Sequence, residues 1–243
     1  MKSHRGRAAI IGALFIAAAV FSILGYVLGG TTVTDPAYVL DGPTNENRVV
    51  AGAYLELLAA VTVAGTGVAF FPVLRKFDDS FAIGYAGGRV IEAVLILVGT
   101  ISVLTLLSLR QAVAGGAALD GPALETASHV LRSVHELALI LGPNFMLGFN
   151  TALVAYVVYR TRIVPQPIAI LGLIGAVLIS GAAGLEVFGI IEQFSTTGAL
   201  LALPVFAWEM SLAVWLIVKG FTVPGTILES DGEQSSVASP ALD

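Results

Sequence analysis

Six long apolar runs restrict this chain more than any other feature. They extend from Ala8 to Leu28, Val49 to Leu74, Ile83 to Leu109, His129 to Tyr159, Ile168 to Ile191 and Ala199 to Val218. The fourth is purely apolar only from Leu137. A helix that crosses a bilayer needs about 20 mostly apolar residues. Strands would leave backbone groups unpaired in lipid, and the runs lack the alternation of a membrane barrel. The expected fold is therefore all-α: a polytopic integral membrane bundle of about six transmembrane helices.

Composition agrees. Of the 243 residues only 12% are charged, against about 25% in soluble domains. The mean hydropathy is +0.90. A water-soluble fold of this length cannot cover its surface with so few charges. The net charge of -5 offers no basic field to nucleic acid. There is no cysteine, which excludes disulfides, thiolate metal sites and a cysteine nucleophile.

Between the runs lie turn and boundary signals: Asp35-Pro36, Gly42-Pro43, Gly121-Pro122, Pro165 and Pro167. Residues 1–221 are expected to form one six-helix transmembrane domain. From Thr222 the chain turns polar and acidic, so 222–243 is expected to be a disordered cytoplasmic tail. The first run follows Lys2, Arg5 and Arg7, and its apolar core exceeds the roughly 7–15 residues of a cleaved signal. It is expected to be a retained anchor. With the N-terminus inside, the inner loops hold Lys2, Arg5, Arg7, Arg75, Lys76, Arg160, Arg162 and Lys219, and the outer loops only Arg48 and Arg110. That bias puts both termini in the cytoplasm. No three-plus-three repeat is evident. The Gly25/Gly29 and Gly84/Gly88 pairs have the spacing of close helix approach.

Several segments carry a resemblance. They are Glu56-Leu57-Leu58-Ala59-Ala60, Phe71-Pro72-Val73-Leu74-Arg75-Lys76, Gly84-Tyr85-Ala86-Gly87-Gly88-Arg89-Val90-Ile91-Glu92 and Tyr159-Arg160-Thr161-Arg162-Ile163-Val164-Pro165. A last run passes from Leu203 through Pro204, Trp208, Glu209 and Trp215 to Lys219-Gly220-Phe221. In order and spacing they resemble the bacterial membrane family known as domain of unknown function 4386, over nearly the whole chain except the tail. The resemblance implies a multi-pass bacterial membrane protein, and the expected location is the cytoplasmic (inner) membrane. It implies no activity and no catalytic residues.

Ionisable groups inside a membrane are costly and are functional candidates by default. Here they are Glu56, Arg89, Glu92, Arg132, His135, Glu136, Glu186 and Glu209, with His129 at the margin. On the fourth run, His129, Arg132, Glu136, Pro143, Leu147 and Asn150 fall on one helical face, expected to point into the bundle. Pro143 is expected to kink that helix, with Asn144 serving the freed backbone groups. Arg89 and Glu92 lie three apart on one face, and Glu209 is at similar depth, so an Arg89–Glu92–Glu209 network is expected. The structural alternative is an ion pair that fixes helix register. Five acids against two arginines leave three carboxylates without a permanent cation. A carboxylate so placed takes up a proton, or binds a cation or a cationic solute.

Other chemistry is weakly supported. His135-Glu136 begins like a zinc-protease helix, but Leu139 stands where the second histidine belongs. Gly65-Thr66-Gly67 is no dinucleotide loop, because Phe70 replaces the third glycine and no strand precedes it. No metal, cofactor or nucleophile constellation is expected. The reading is a membrane protein of unknown biochemistry. The first hypothesis is a small permease with an outward-opening polar cavity, its partners being the lipid bilayer and a proton, cation or small solute. The rival is a non-catalytic regulatory or structural membrane protein. A membrane-embedded enzyme ranks last.

Overall fold

The computed structural model describes residues 2–33, 35, 38–39, 45–117 and 121–221. The expected turns at Pro36 and Gly42-Pro43, and the expected tail from Thr222, lie outside them. Among the described residues there are helices and no strands. Six helical rods are long and apolar enough to cross a membrane: Arg5–Gly30, Glu46–Leu74, Asp79–Ala114, Gly121–Thr161, Gln166–Val187 and Thr196–Val218.

Two of these rods change helical pitch. The first is α1 (Lys2–Gly25), a π-helical turn (Tyr26–Gly30) and the short α2 (Thr31–Val33). The second and third are α3 (Glu46–Leu74) and α4 (Asp79–Ala114). The fourth is α5 (Gly121–Leu139), a π-helical stretch (Ile140–Met146) and α6 (Leu147–Thr161). Pro143 sits inside that stretch. Its ring has no N–H to donate and crowds the carbonyl a turn back, so the backbone widens to i→i+5 bonding. The last two are α7 (Gln166–Val187) and α8 (Thr196–Val218).

The helix starts follow from capping. The Asp78 side chain accepts from the N–H groups of Ser80 and Phe81 at 2.8 and 3.1 Å. Asn45 caps α3 through Arg48 N and Ser195 caps α8 through Gly198 N. Each satisfies a donor that the first turn cannot use. Pro165 and Pro167 mark the start of α7, where a missing N–H does no harm.

The six rods close into a ring. α1 packs on α3, α3 on α4, α4 on α5 and α6, α6 on α7, α7 on α8, and α8 back on α1. Arg5 Nη2 donates to the Val218 carbonyl at 3.3 Å, so the start of α1 and the end of α8 lie on the same side. Small residues set the seams. A Cβ on Gly52 would lie 2.4 Å from the Gly29 backbone nitrogen, and one on Gly175 would lie 2.8 Å from Val205 backbone. The Gly25/Gly29 pair meets Gly52 across the α1–α3 seam; of the Gly84/Gly88 pair, Gly88 is closely packed against the Asn150 side chain of α6, whereas Gly84 has only an ordinary neighbour, Leu153. Close approach of this kind drives helix association where lipid removes the hydrophobic gain.

The polarity of the bundle is inverted relative to a soluble protein. Val61, Val68, Ile83, Ile101, Val177 and Leu200 face outward, while Arg89, Glu92, His135 and Asn150 are buried. That is the arrangement hydrocarbon requires. The chain is a multi-pass membrane protein.

At one end the structure exceeds the expected spans. α4 has 36 residues, about 54 Å at 1.5 Å per residue, well beyond a ~30 Å hydrocarbon core. Its far end is clasped by the first connection. Arg110 Nη1 donates to the Tyr38 carbonyl, and the guanidinium lies 5.2 Å from the Tyr38 ring centroid. Gln111 Nε2 donates to Glu46 at 2.9 Å.

Candidate functional site

The deepest polar centre is built on α4. Arg89 lies about 15 Å past Asp79 along the axis, at 1.5 Å per residue, and its side chain is fully buried. Tyr85 and Glu92 are four and three residues away, so the three share a face. Arg89 Nε donates to Tyr85 Oη at 3.1 Å. Nη1 donates to both Glu92 carboxylate oxygens at 3.2 Å, and Nη2 donates to Glu209 Oε1 of α8 at 3.1 Å. Asn150 of α6 donates from Nδ2 to Glu92 Oε2 at 2.7 Å. Tyr85 Oη donates to Thr66 Oγ1 of α3 at 3.4 Å. The guanidinium carbon also lies 5.3 Å from the Phe15 ring centroid on α1, within cation–π range. The network centred on this arginine thus joins five helices. With both carboxylates ionised, the centre carries one negative charge in excess.

A second centre lies toward the α4–α5 end. Glu56 of α3 is buried, and its Oε2 accepts from Thr100 Oγ1 of α4 at 2.9 Å. It lines a cavity of about 30 Å³ together with Ser22, Tyr26, Gly99, His135 and Pro143. Between the centres lies an apolar cluster of Ala60, Val63, Ala93 and Ile96. His135 Nδ1 lies 3.3 Å from the Gly99 carbonyl oxygen. A carbonyl only accepts, so the neutral ring carries its hydrogen on Nδ1 and leaves Nε2 as a bare acceptor. That Nε2 is buried and has no hydrogen-bond partner.

Glu186 of α7 forms a third, separate contact: Asn144 Nδ2 donates to its Oε2 at 2.8 Å. Asn144 therefore serves a carboxylate, not the backbone groups freed by Pro143. The three acids Glu56, Glu186 and the second of the Glu92/Glu209 pair are held by neutral donors or share one cation.

The structure corrects the expected stripe on the fourth rod. His135 and Asn150 are buried, but His129 and Glu136 are exposed on the bundle surface and Arg132 is only half-buried. The reason is the π-helical stretch. Adding a residue to a turn offsets everything beyond it by about 100° at 3.6 residues per turn. The face that holds Asn150 inward is thus no longer the face that holds Glu136. The candidates consequently do not line one outward-opening cavity. Arg89, Glu92 and Glu209 close on one another, Glu56 and His135 share a small cavity, Glu186 pairs with Asn144, and Glu136 stands outside.

Three participants escaped the sequence reading. Thr100 follows Arg89 by eleven residues, which returns an α-helix to within about 20° of the same face, so its inward position was available. Phe15 and Thr66 carried no such signal, because nothing in α1 or α3 reveals which face meets Arg89. Among the described residues, no three side chains of metal-binding type converge.

One family model matches this chain, that of Domain of unknown function (DUF4386), over residues 10–220. No curated protein and no solved structure matches.

Proposed function

The chain belongs to this family, Domain of unknown function (DUF4386), and from that premise we propose that it is a small permease-like protein that moves a proton, a cation or a small cationic solute across a membrane. The observation that carries this reading is the excess of intramembrane carboxylates over cations. Glu92 and Glu209 share the single Arg89, while Glu56 and Glu186 have only the neutral donors Thr100 and Asn144. Such groups bind a proton or another cation more readily than they remain bare. Two polar centres on either side of a thin apolar cluster also suit stepwise passage.

The charge bias of the loops supports a membrane whose cytoplasmic face holds both ends of the bundle, as in a bacterial inner membrane. Residues 1–221 then form the transmembrane unit, and 222–243 a cytoplasmic tail.

The test is flux in proteoliposomes with a trapped pH dye, under an imposed potential and under an imposed pH gradient. Protein-dependent proton movement, or solute movement that depends on protons, is expected. Glu92→Gln should reduce it by at least about tenfold, equivalent to 1.4 kcal/mol in a barrier. Absence of any flux under every gradient refutes transport.

One observation favours a second reading. Each of the three guanidinium nitrogens of Arg89 has a partner inside the bundle, which is also how a register pin would look. On that reading Glu209→Gln destabilises the bundle and removes no specific activity.

A further inference from the structure

We propose that the cavity between Glu56 and His135 is a proton-exchange site, in which one water molecule bridges the Glu56 carboxyl group and His135 Nε2. This deepens the proton-handling reading above and rests on it.

Four observations converge on this place. The first is size: a cavity of about 30 Å³ exceeds the roughly 10–15 Å³ that one water requires. The second is the unpartnered Nε2 of His135, a residue that is 1% exposed. Its Nδ1 is committed to the Gly99 carbonyl, so Nε2 needs a donor and the cavity wall is where His135 meets Glu56. The third is the carboxylate itself. Thr100 Oγ1, which also lies 3.0 Å from the Ile96 carbonyl, is within hydrogen-bond distance of one Glu56 oxygen only, which leaves the other free for a bridge.

The fourth is the backbone. Both π-helical segments among the described residues reach this one cavity, Tyr26 opening the first and Pro143 lying within the second. Single π turns recur at functional sites because they re-aim side chains and loosen carbonyls. Pro143 has no N–H, so a carbonyl one turn back, on Ala138 or Leu139, loses a helical donor, and both residues line the cavity.

The step balances without a further reactant. The Glu56 carboxyl releases its proton to the bridging water as that water gives another to Nε2, producing carboxylate and imidazolium. The reverse step restores the starting pair. The other titratable groups nearby are Tyr26, whose phenol lies close enough to Glu136 to feel its charge, and Arg132, one turn before Glu136 on α5. Glu186, held by Asn144, lies beyond Pro143. Ser22 and Thr100 are neutral.

The test is equilibrium titration of the full chain in lipid nanodiscs. Infrared spectra follow the protonated carboxyl group, and nitrogen NMR of labelled histidine follows the ring. The neutral ring should be the Nδ1–H tautomer, and in the wild type both signals should change in each of two proton-uptake steps, as coupled sites do. Glu56→Gln should change the proton affinity of His135 by about tenfold, one pH unit. His135→Gln should change that of Glu56 by the same factor, since coupling is reciprocal. An Nε2–H tautomer, or two signals that titrate independently in the wild type, overturns the proposal even if neither variant folds. The two readings fail separately. Coupled titration without flux refutes transport alone, and flux with independent titration refutes this pairing alone.

Discussion

Replacing Arg89 by Met is the most informative single change in the bundle. The guanidinium makes four hydrogen bonds of 3.1–3.2 Å, three of them to the carboxylates of Glu92 and Glu209. Met keeps only the apolar stem and leaves those two acids with Asn150 as their only other donor among the described residues. Breaking a buried ion pair by removing one partner destabilises by about 3–5 kcal/mol. At 1.4 kcal/mol per decade, the folded-to-unfolded ratio should fall by two to four powers of ten. A neutral hydrogen bond inside a membrane averages only about 0.6 kcal/mol, so the two kinds of interaction are separable by size. The assay is unfolding in mixed micelles with increasing denaturing detergent, read by tryptophan fluorescence, with both tryptophans on α8 beside the centre. The triple variant Arg89→Met, Glu92→Gln, Glu209→Gln removes the charge imbalance and should recover most of the loss. A single-variant loss below about 1 kcal/mol, or no recovery in the triple variant, would refute the argument that Arg89 acts by neutralising buried carboxylates.

Three further outcomes are expected. Gly52→Ala places a Cβ 2.4 Å from the Gly29 backbone, and since backbone cannot yield, α1 and α3 must part at a loss of about 1–3 kcal/mol. Gly87→Ala, with nothing within 4 Å, should leave the detergent-unfolding midpoint unmoved or slightly raised. Outside the membrane, burial holds the Tyr38 phenol above its ordinary value of 10.0, with Glu46 adding to the effect and Arg110 opposing it. An acid held neutral in the fold stabilises it below the unfolded value, and that stability is lost as pH rises from 10 through the folded value. Alkaline ultraviolet titration of the wild type and of Tyr38→Phe should therefore differ by one late-titrating tyrosine.

The six spans were legible because length and apolarity suffice to define a membrane helix. The core of the Arg89 centre was legible for a different reason. Arg89 and Glu92 are three apart on one helix, and counting turns from opposite ends brings Glu209 to their depth. The stripe from His129 to Asn150 failed because helical phase was carried through Pro143 as though the pitch were constant. Pro143 does more than kink the rod: it accompanies a change of hydrogen-bonding period that turns Glu136 outward and leaves Asn150 inside. The cavity shared by Glu56 and His135 was not legible at all. The two residues lie on helices distant in sequence, and only the closure of α1, α3, α4 and α5 around one point brings them together.

The contact between α1 and α8 has a consequence for biogenesis. Translation delivers the helices in order, and the sixth supplies both the last wall of the ring and the Glu209 carboxylate. Until it inserts, Phe15 and the Arg89 guanidinium lie beside an open seam, and a nascent five-helix form has one flank unfinished. In any chain stalled before Thr196, Arg89 keeps Glu92 but lacks the Glu209 carboxylate, so an ion pair stands open to lipid on that flank.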